Sequence, residues 1–271
     1  MPDKSEQLAL QIREKALKMV ASAKASHIGG ALSMADIMAV LYQDILKVRP
    51  NEPEWSDRDR FILSKGHCCS ALYATLALRG FLPLEELETY GVDGSRLMAH
   101  ASHKVPGVEF STGSLGHGLP YACGKALAAK RKVASWRVFT MLSDGELDEG
   151  SNWEAILFAP QHGLDNLIAI VDYNKIQSMG SVSAVMELDP LAGKFQTFRW
   201  SVKEVDGHDH RAIKHALATV PWETGKPSCL IAHTVKGKGV EFMENELLWH
   251  YRSPDKEQLE AALAGLGGTT V

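Results

Sequence analysis

Two short polar segments carry the residues best suited to chemistry. Val138-Phe139-Thr140-Met141-Leu142 runs into Ser143-Asp144-Gly145-Glu146, and Ile168-Ala169-Ile170-Val171 runs into Asp172-Tyr173-Asn174-Lys175-Ile176. If one crossover helix separates two parallel strands, Asp144 and Asn174 can bring a carboxylate and an amide oxygen to one point. Hard oxygen donors suit Mg²⁺ or Ca²⁺, with phosphate oxygens completing the shell. Gly145 would let backbone approach a phosphate closely. Taken singly, each residue has a structural reading, Asp144 as a helix cap and Asn174 as an Asx-turn. Taken together with Gly145 and the intervening helix, they read as a metal and diphosphate site.

Histidines form a second chemical set. Imidazoles exchange protons near neutral pH, and the stretch from Gly91 to Gly118 is rich in Gly, His and Ser. His208-Asp209-His210 could be mistaken for a metal cluster.

The elements that must position these residues alternate. Helices are expected from Ser5 to about Ala25, with Leu8, Ile12, Ala16, Met19 and Val20 on one face, and over Met34–Leu46, capped by Ser33 after a break at His27-Ile28-Gly29-Gly30. Further helices are expected over Ser70–Arg79, Pro120–Lys132 and Asn152–His162. Short apolar runs at Arg60–Ser64, Arg137–Leu142, Leu167–Asp172 and Cys229–Val235 read as strands. Gly91 to Gly118 reads as a long irregular loop, a form usually tied to function. The pattern predicts one α/β domain over residues 1–271, a doubly wound, mostly parallel sheet with helices on both faces. In such sheets ligands collect at the carboxyl ends of strands, where Lys65-Gly66-His67, Ser143-Asp144-Gly145-Glu146, Asp172-Tyr173-Asn174-Lys175-Ile176 and Lys236-Gly237-Lys238-Gly239 fall.

Composition narrows the class. With 271 residues, 45% of them hydrophobic, the chain can bury one large core. A net charge of -4 offers no basic field for nucleic acid or an acidic membrane. No apolar run is long enough to span a bilayer, and the charged, helix-periodic N-terminus is unlike a signal peptide. Cys68, Cys69, Cys123 and Cys229 match no zinc or redox spacing and read as reduced thiols of a cytoplasmic protein.

Seven blocks resemble the diphosphate-binding N-terminal half of transketolase, in its separately encoded form. They are ASHIGGALSMADIM from Ala25, FILSKGHCCSALYATL from Phe61, MAHASHKVPGVEFSTGSLGHG from Met98, SDGELDEGSNWEA from Ser143, VDYNKIQSMG from Val171, VDGHD from Val205 and HTVKGKGVEFMENELLWH from His233. The resemblance implies thiamine diphosphate and Mg²⁺ (or Ca²⁺) as cofactors, with Asp144, Asn174 and the Ile176 carbonyl as metal ligands. It implies that Gly145, His67, Lys65 and Lys236 serve the diphosphate, that Gly113, Ser114 and Leu115 line the cofactor through their backbone, and that His250 covers the reacting centre. His27, His100 and His250 would meet a sugar phosphate, with His103 a bystander and Asp206-Gly207-His208-Asp209 a turn before a helix. Glu149 and Glu154 match acidic residues near the family's dimer contact.

The family's catalytic glutamate and pyrimidine pocket lie on a second domain, which this chain is expected to lack, since it ends at Val271. A C-terminal transketolase subunit is therefore the expected partner, most simply as α2β2. The expected reaction moves a two-carbon ketol unit from a ketose phosphate to an aldose. The alternatives are the α subunit of a 2-oxoacid dehydrogenase, which shares the metal motif but not the histidine set, and a non-catalytic cofactor-binding subunit. Ser143, Ala99, His117 and Tyr251 depart from the family pattern. Of these, His117 and Tyr251 bear on which sugar is used.

Overall fold

The computed structural model describes residues 3–267; Met1, Pro2 and residues 268–271, which the expected domain bounds include, lie outside the described residues. Five strands, β1 (Arg60–Leu63), β2 (Val138–Ser143), β3 (Leu167–Tyr173), β4 (Ser201–Asp206) and β5 (Ser228–His233), form one sheet in the order β1-β2-β3-β5-β4. Every pairing is parallel. Parallel strands covered on both faces read as unbroken apolar runs, and β2 and β3 are buried throughout. Side chains still alternate between faces. Ile168 and Ile170 enter one core, while Leu167, Ala169 and Val171 enter the other.

Helices α1 (Lys4–Ala23), α2 (Ile28–Ser33), α3 (Ala35–Val40) and α4 (Cys69–Leu78) contribute to the first core. Helices α5 (Gly118–Arg131), α6 (Gly150–Gln161), α7 (Val182–Val185) and α8 (Leu191–Thr197) contribute to the second, and α9 (His210–Ala218) and α10 (Lys256–Gly265) return to the first. Capping boxes start α1 at Asp3/Glu6 and α10 at Asp255/Gln258, each satisfying two orphan donors. All four cysteines are free and buried. Among the described residues no helix is long and apolar enough to cross a membrane.

Two expectations need correction. The chain turns at Lys24–His27, and α2 already begins at Ile28, so Gly29 and Gly30 lie inside a helix rather than breaking one. Close packing explains glycine there. A Cβ on Gly30 would sit 2.8 Å from the Cys68 sulfur, and one on Gly29 would lie 3.1 Å from the Lys236 side chain. Ser33 caps nothing, because its hydroxyl instead lies 2.6 Å from Asp172 Oδ2. The sequence reading also missed β4. Ser-Val-Lys-Glu-Val-Asp is an edge strand with much of its length at the surface, so it lacks the apolar run that marks the inner strands.

Candidate functional site

The carboxyl ends of β1, β2, β3 and β5 open onto one cleft of about 220 Å³. Every site residue expected from the sequence lines it except Ser114, which is exposed between Gly113 and Leu115. Gly30, Ser143, Gln177 and Ser178 also line it. The latter pair follows Ile176 directly, so its place in the motif block was the available signal.

Asp144 is buried at the end of β2, and its two oxygens accept the amides of Gly145 (2.7 Å) and Lys175 (2.6 Å). Lys175 adopts φ 67, which turns the chain sharply between Asn174 and Ile176. Asn174 Oδ1 accepts the Ile176 amide at 3.1 Å, so the Asx-turn and the place in the cleft coexist. The Ile176 carbonyl accepts Lys236 Nζ at 2.9 Å and thus already faces a cation. One carboxylate, one amide and one carbonyl form an all-oxygen set of the kind Mg²⁺ or Ca²⁺ accepts. Burial, then the nearby charge of Asp172, pushes the Asp144 carboxyl up to about 6. A bound divalent cation would reverse that shift. The Gly145 cradle is tight, since a Cβ there would lie 3.0 Å from the Gln177 side chain. These residues fit a metal-held diphosphate.

Beneath the cleft lies a polar knot that the sequence did not single out. Asp172, fully buried, pairs with Lys65 and accepts the hydroxyls of Ser33 and Thr234, with Asn174 Nδ2 at 3.4 Å. Burial alone would raise the Asp172 carboxyl, but Lys65 and the hydroxyl donors hold it below the usual range. Lys65 Nζ also donates to the Gly30 carbonyl at 3.1 Å, which fixes the ammonium where it lines the cleft. Glu146, equally buried, accepts Ser64 Oγ (2.5 Å) and the amides of Gly116 (3.0 Å) and Ser143 (3.3 Å). It ties the loop that holds Gly113 and Leu115 to the ends of β1 and β2.

Three rings surround His27, with centroids at 5.0 Å for His67, 6.0 Å for His100 and 4.9 Å for His250. His27 takes φ 73 as the residue before α2, and its amide donates to the His250 carbonyl at 3.0 Å. A non-glycine residue in that region is strained, and such strain clusters at functional sites. Burial, His100 and Lys236 together bring His27 down to about 4. Burial, Lys236 and His27 bring His250 to about 3, and burial with Lys65 pulls His67 well down. These three imidazoles are therefore neutral near pH 7, each able to donate at one nitrogen and accept at the other. His103 stands apart, its Nδ1 bonded to Ser111 Oγ at 2.7 Å.

Among the departures, the Tyr251 hydroxyl donates to the Ser178 carbonyl at 2.7 Å and so ties the segment after His250 to the cleft rim. His117 is exposed. Glu154 borders a shallow apolar depression with Cys123 and Phe158, away from the cleft, and Glu149 is exposed. His208 and His210 both reach Asp36, not a common vacant point, so they form no metal cluster. Among the described residues no three His, Cys, Asp or Glu side chains are grouped to hold a metal.

Residues 4–267 match the family described as transketolase, thiamine diphosphate binding domain. The chain is 42% identical over 251 residues to an apulose-4-phosphate transketolase subunit of Phocaeicola vulgatus, covering 93% of this chain and 89% of that relative. It is 40% identical to a 6-deoxy-6-sulfo-D-fructose transketolase subunit of Clostridium sp., covering 94% and 93%. Among solved structures, transketolase from Campylobacter jejuni superposes with a TM-score of 0.93 at 32% identity, covering 99% of this chain but 43% of that one. The chain thus spans most of the length of the subunit relatives and less than half of the Campylobacter jejuni transketolase chain.

Proposed function

We propose, from the fact that this chain belongs to the transketolase thiamine diphosphate-binding family, that it is the diphosphate-side subunit of a two-part transketolase. The enzyme would move a two-carbon ketol unit from a ketose phosphate to an aldose acceptor. One observation carries this reading: the oxygen set of Asp144, Asn174 and Ile176, two lysines and four histidines share one cleft at the carboxyl edge of the sheet.

In this reading Asp144, Asn174 and the Ile176 carbonyl hold Mg²⁺, with Ca²⁺ an acceptable substitute. Gly145, His67, Lys65 and Lys236 hold the diphosphate, and the backbone at Gly113, Ser114 and Leu115 lies along the cofactor. Thiamine diphosphate, when bound, supplies the electron sink that lets the carbon–carbon bond beside the ketose carbonyl break. His27, His100 and His250 contact sugar hydroxyls and carry protons to and from them. Residues 1–271 act as one domain of a cytoplasmic enzyme.

A second subunit is part of the proposal, on physical grounds. Among the described residues no glutamate lines the cleft. Glu146 lies beneath it, but its oxygens are taken up by Ser64, Gly116 and Ser143. The acid that the resemblance calls for at the cofactor's pyrimidine then lies outside the described residues, and a second subunit is the proposed source. Both relatives named above are themselves called transketolase subunits. The simplest assembly is α2β2. The test uses this chain saturated with thiamine diphosphate and Mg²⁺ and given a panel of ketose phosphates and aldoses. It should be silent alone and turn over once a pyrimidine-side subunit is added. Turnover by demonstrably partner-free protein refutes the split arrangement.

A further inference from the structure

We propose, resting on that reading of the cleft, that His208 is a positioning residue for the cofactor: a neutral imidazole bridging buried Asp36 and the Val235 amide, it holds the loop that carries Lys236.

The turn in which His208 sits does not need its side chain. Asp206 Oδ1 accepts the His208 amide at 2.8 Å, and Asp209 caps α9 through the amides of Arg211 (2.9 Å) and Ala212 (3.0 Å). The imidazole instead points to the exit of β5. Its Nε2 accepts the Val235 N–H at 2.9 Å, and its Nδ1 lies 2.6 Å from Asp36 Oδ2. An amide can only donate, so Nε2 must offer a lone pair, and the ring proton sits on Nδ1 facing the carboxylate. Other charged groups face this pair as well. Asp36 also accepts Arg13 Nη1 (2.9 Å) and pairs with His210 Nε2 (3.0 Å), while Glu244 approaches from the segment after β5. His208 thus has a permanent acceptor on one side and a backbone donor on the other.

Four successive residues leaving β5 are each tied to a different part of the protein. Thr234 donates to Asp172, Val235 to His208, Lys236 Nζ to the Ile176 carbonyl, and the Gly237 amide to the Gly29 carbonyl at 2.9 Å. Of these four ties, the one to His208 reaches the β4–α9 turn, outside the cleft. Lys236 lines the cleft and sits 3.3 Å from His250 Nδ1, so the place of its ammonium depends on where Val235 is held. An apolar side chain at 208 would leave the Val235 amide and an Asp36 oxygen without this partner. Glutamine retains one acceptor and one donor and can bridge both.

Isothermal titration with thiamine diphosphate at saturating Mg²⁺, on the assembled enzyme, reads the effect. His208→Leu should weaken cofactor affinity roughly three- to tenfold, the range of one hydrogen bond. His208→Gln should stay within about twofold of the parent. Asp209→Ala removes a helix cap and should lower the melting temperature without moving affinity. Unchanged affinity in His208→Leu overturns the proposal, as does an equal loss in Asp209→Ala, which would mark a merely structural role. Should His208→Leu fail to assemble, the ¹⁵N ring shifts of His208 in the parent chain decide. A neutral ring protonated at Nδ1 at pH 7 supports the bridge, and an imidazolium or the Nε2–H tautomer overturns it. Failure of the parent enzyme to bind thiamine diphosphate would refute the reading of the cleft itself, a result separate from any difference among variants.

Discussion

Replacing Asp172 with asparagine probes the floor of the cleft with almost no change of shape. Asp172 is 0% exposed and Lys65 1%, so neither charge can turn to solvent. Lys65 Nζ also donates to the Gly30 carbonyl at 3.1 Å, which carries no full countercharge. In Asp172→Asn the ammonium loses its countercharge while remaining buried, and one amide oxygen must serve the donors that two carboxylate oxygens now accept. Breaking a buried pair from one side costs about 3–5 kcal/mol. At roughly 2–4 °C per kcal/mol for chains of this size class, the melting temperature should fall by roughly 6–20 °C. Lys65→Met should be destabilising in the same way, because it leaves Asp172 charged and buried. The double variant Lys65→Met/Asp172→Asn removes both charges, and paired removal is often close to neutral. It should therefore be at least about 2 kcal/mol more stable than the sum of the single losses implies. Because Lys65 lines the cleft, the double variant should still bind thiamine diphosphate poorly, which separates the structural role of the pair from its role toward the cofactor. Guanidinium unfolding followed by circular dichroism measures all three variants. A loss below about 1 kcal/mol in Asp172→Asn, or strict additivity in the double variant, refutes this account.

Asp144→Ala should abolish Mg²⁺-dependent cofactor binding while the fold persists, because the site has a single carboxylate; unchanged affinity by titration calorimetry would remove the metal assignment. His100→Ala should cut turnover of the assembled enzyme by about 10²–10⁴-fold with little change in cofactor affinity, and His103→Ala should do much less. If His103→Ala proves the more damaging, the reading of that loop is wrong. Burial and neighbouring positive charge hold His27 near 4 and His250 near 3 in the fold, against the ordinary histidine value of 6.5. The unfolded chain therefore takes up protons that the native state refuses, and native stability should fall as pH drops from about 6.5 toward about 4. His27→Asn/His250→Asn should flatten the melting-temperature profile across that window, and a parallel profile would contradict the neutral state of these rings.

How much of this was legible in the sequence depended on the range of the forces involved. The inner strands and most helices were readable because parallel strands covered on both faces leave unbroken apolar runs, and amphipathic helices leave a 3.6-residue period. Asp144 and Asn174 were readable because each directly follows such a strand. β4 was not, since an edge strand can carry Lys203 and Glu204 without penalty. Gly29 and Gly30 look like helix breakers locally, and only the approach of Lys236 and Cys68 shows why a helix keeps them. Ser33 has the chemistry of a cap, but a carboxylate far along the chain claims its hydroxyl. Asp172 carries no local mark at all. A buried charge is tolerable only when its partners arrive together, and here they come from α2, the ends of β1 and β5, and the turn after β3. The sequence by itself determined the strand-end positions of the reactive groups. Tertiary structure alone decided which of them meet, because desolvation and pairing depend on neighbours brought from distant parts of the chain.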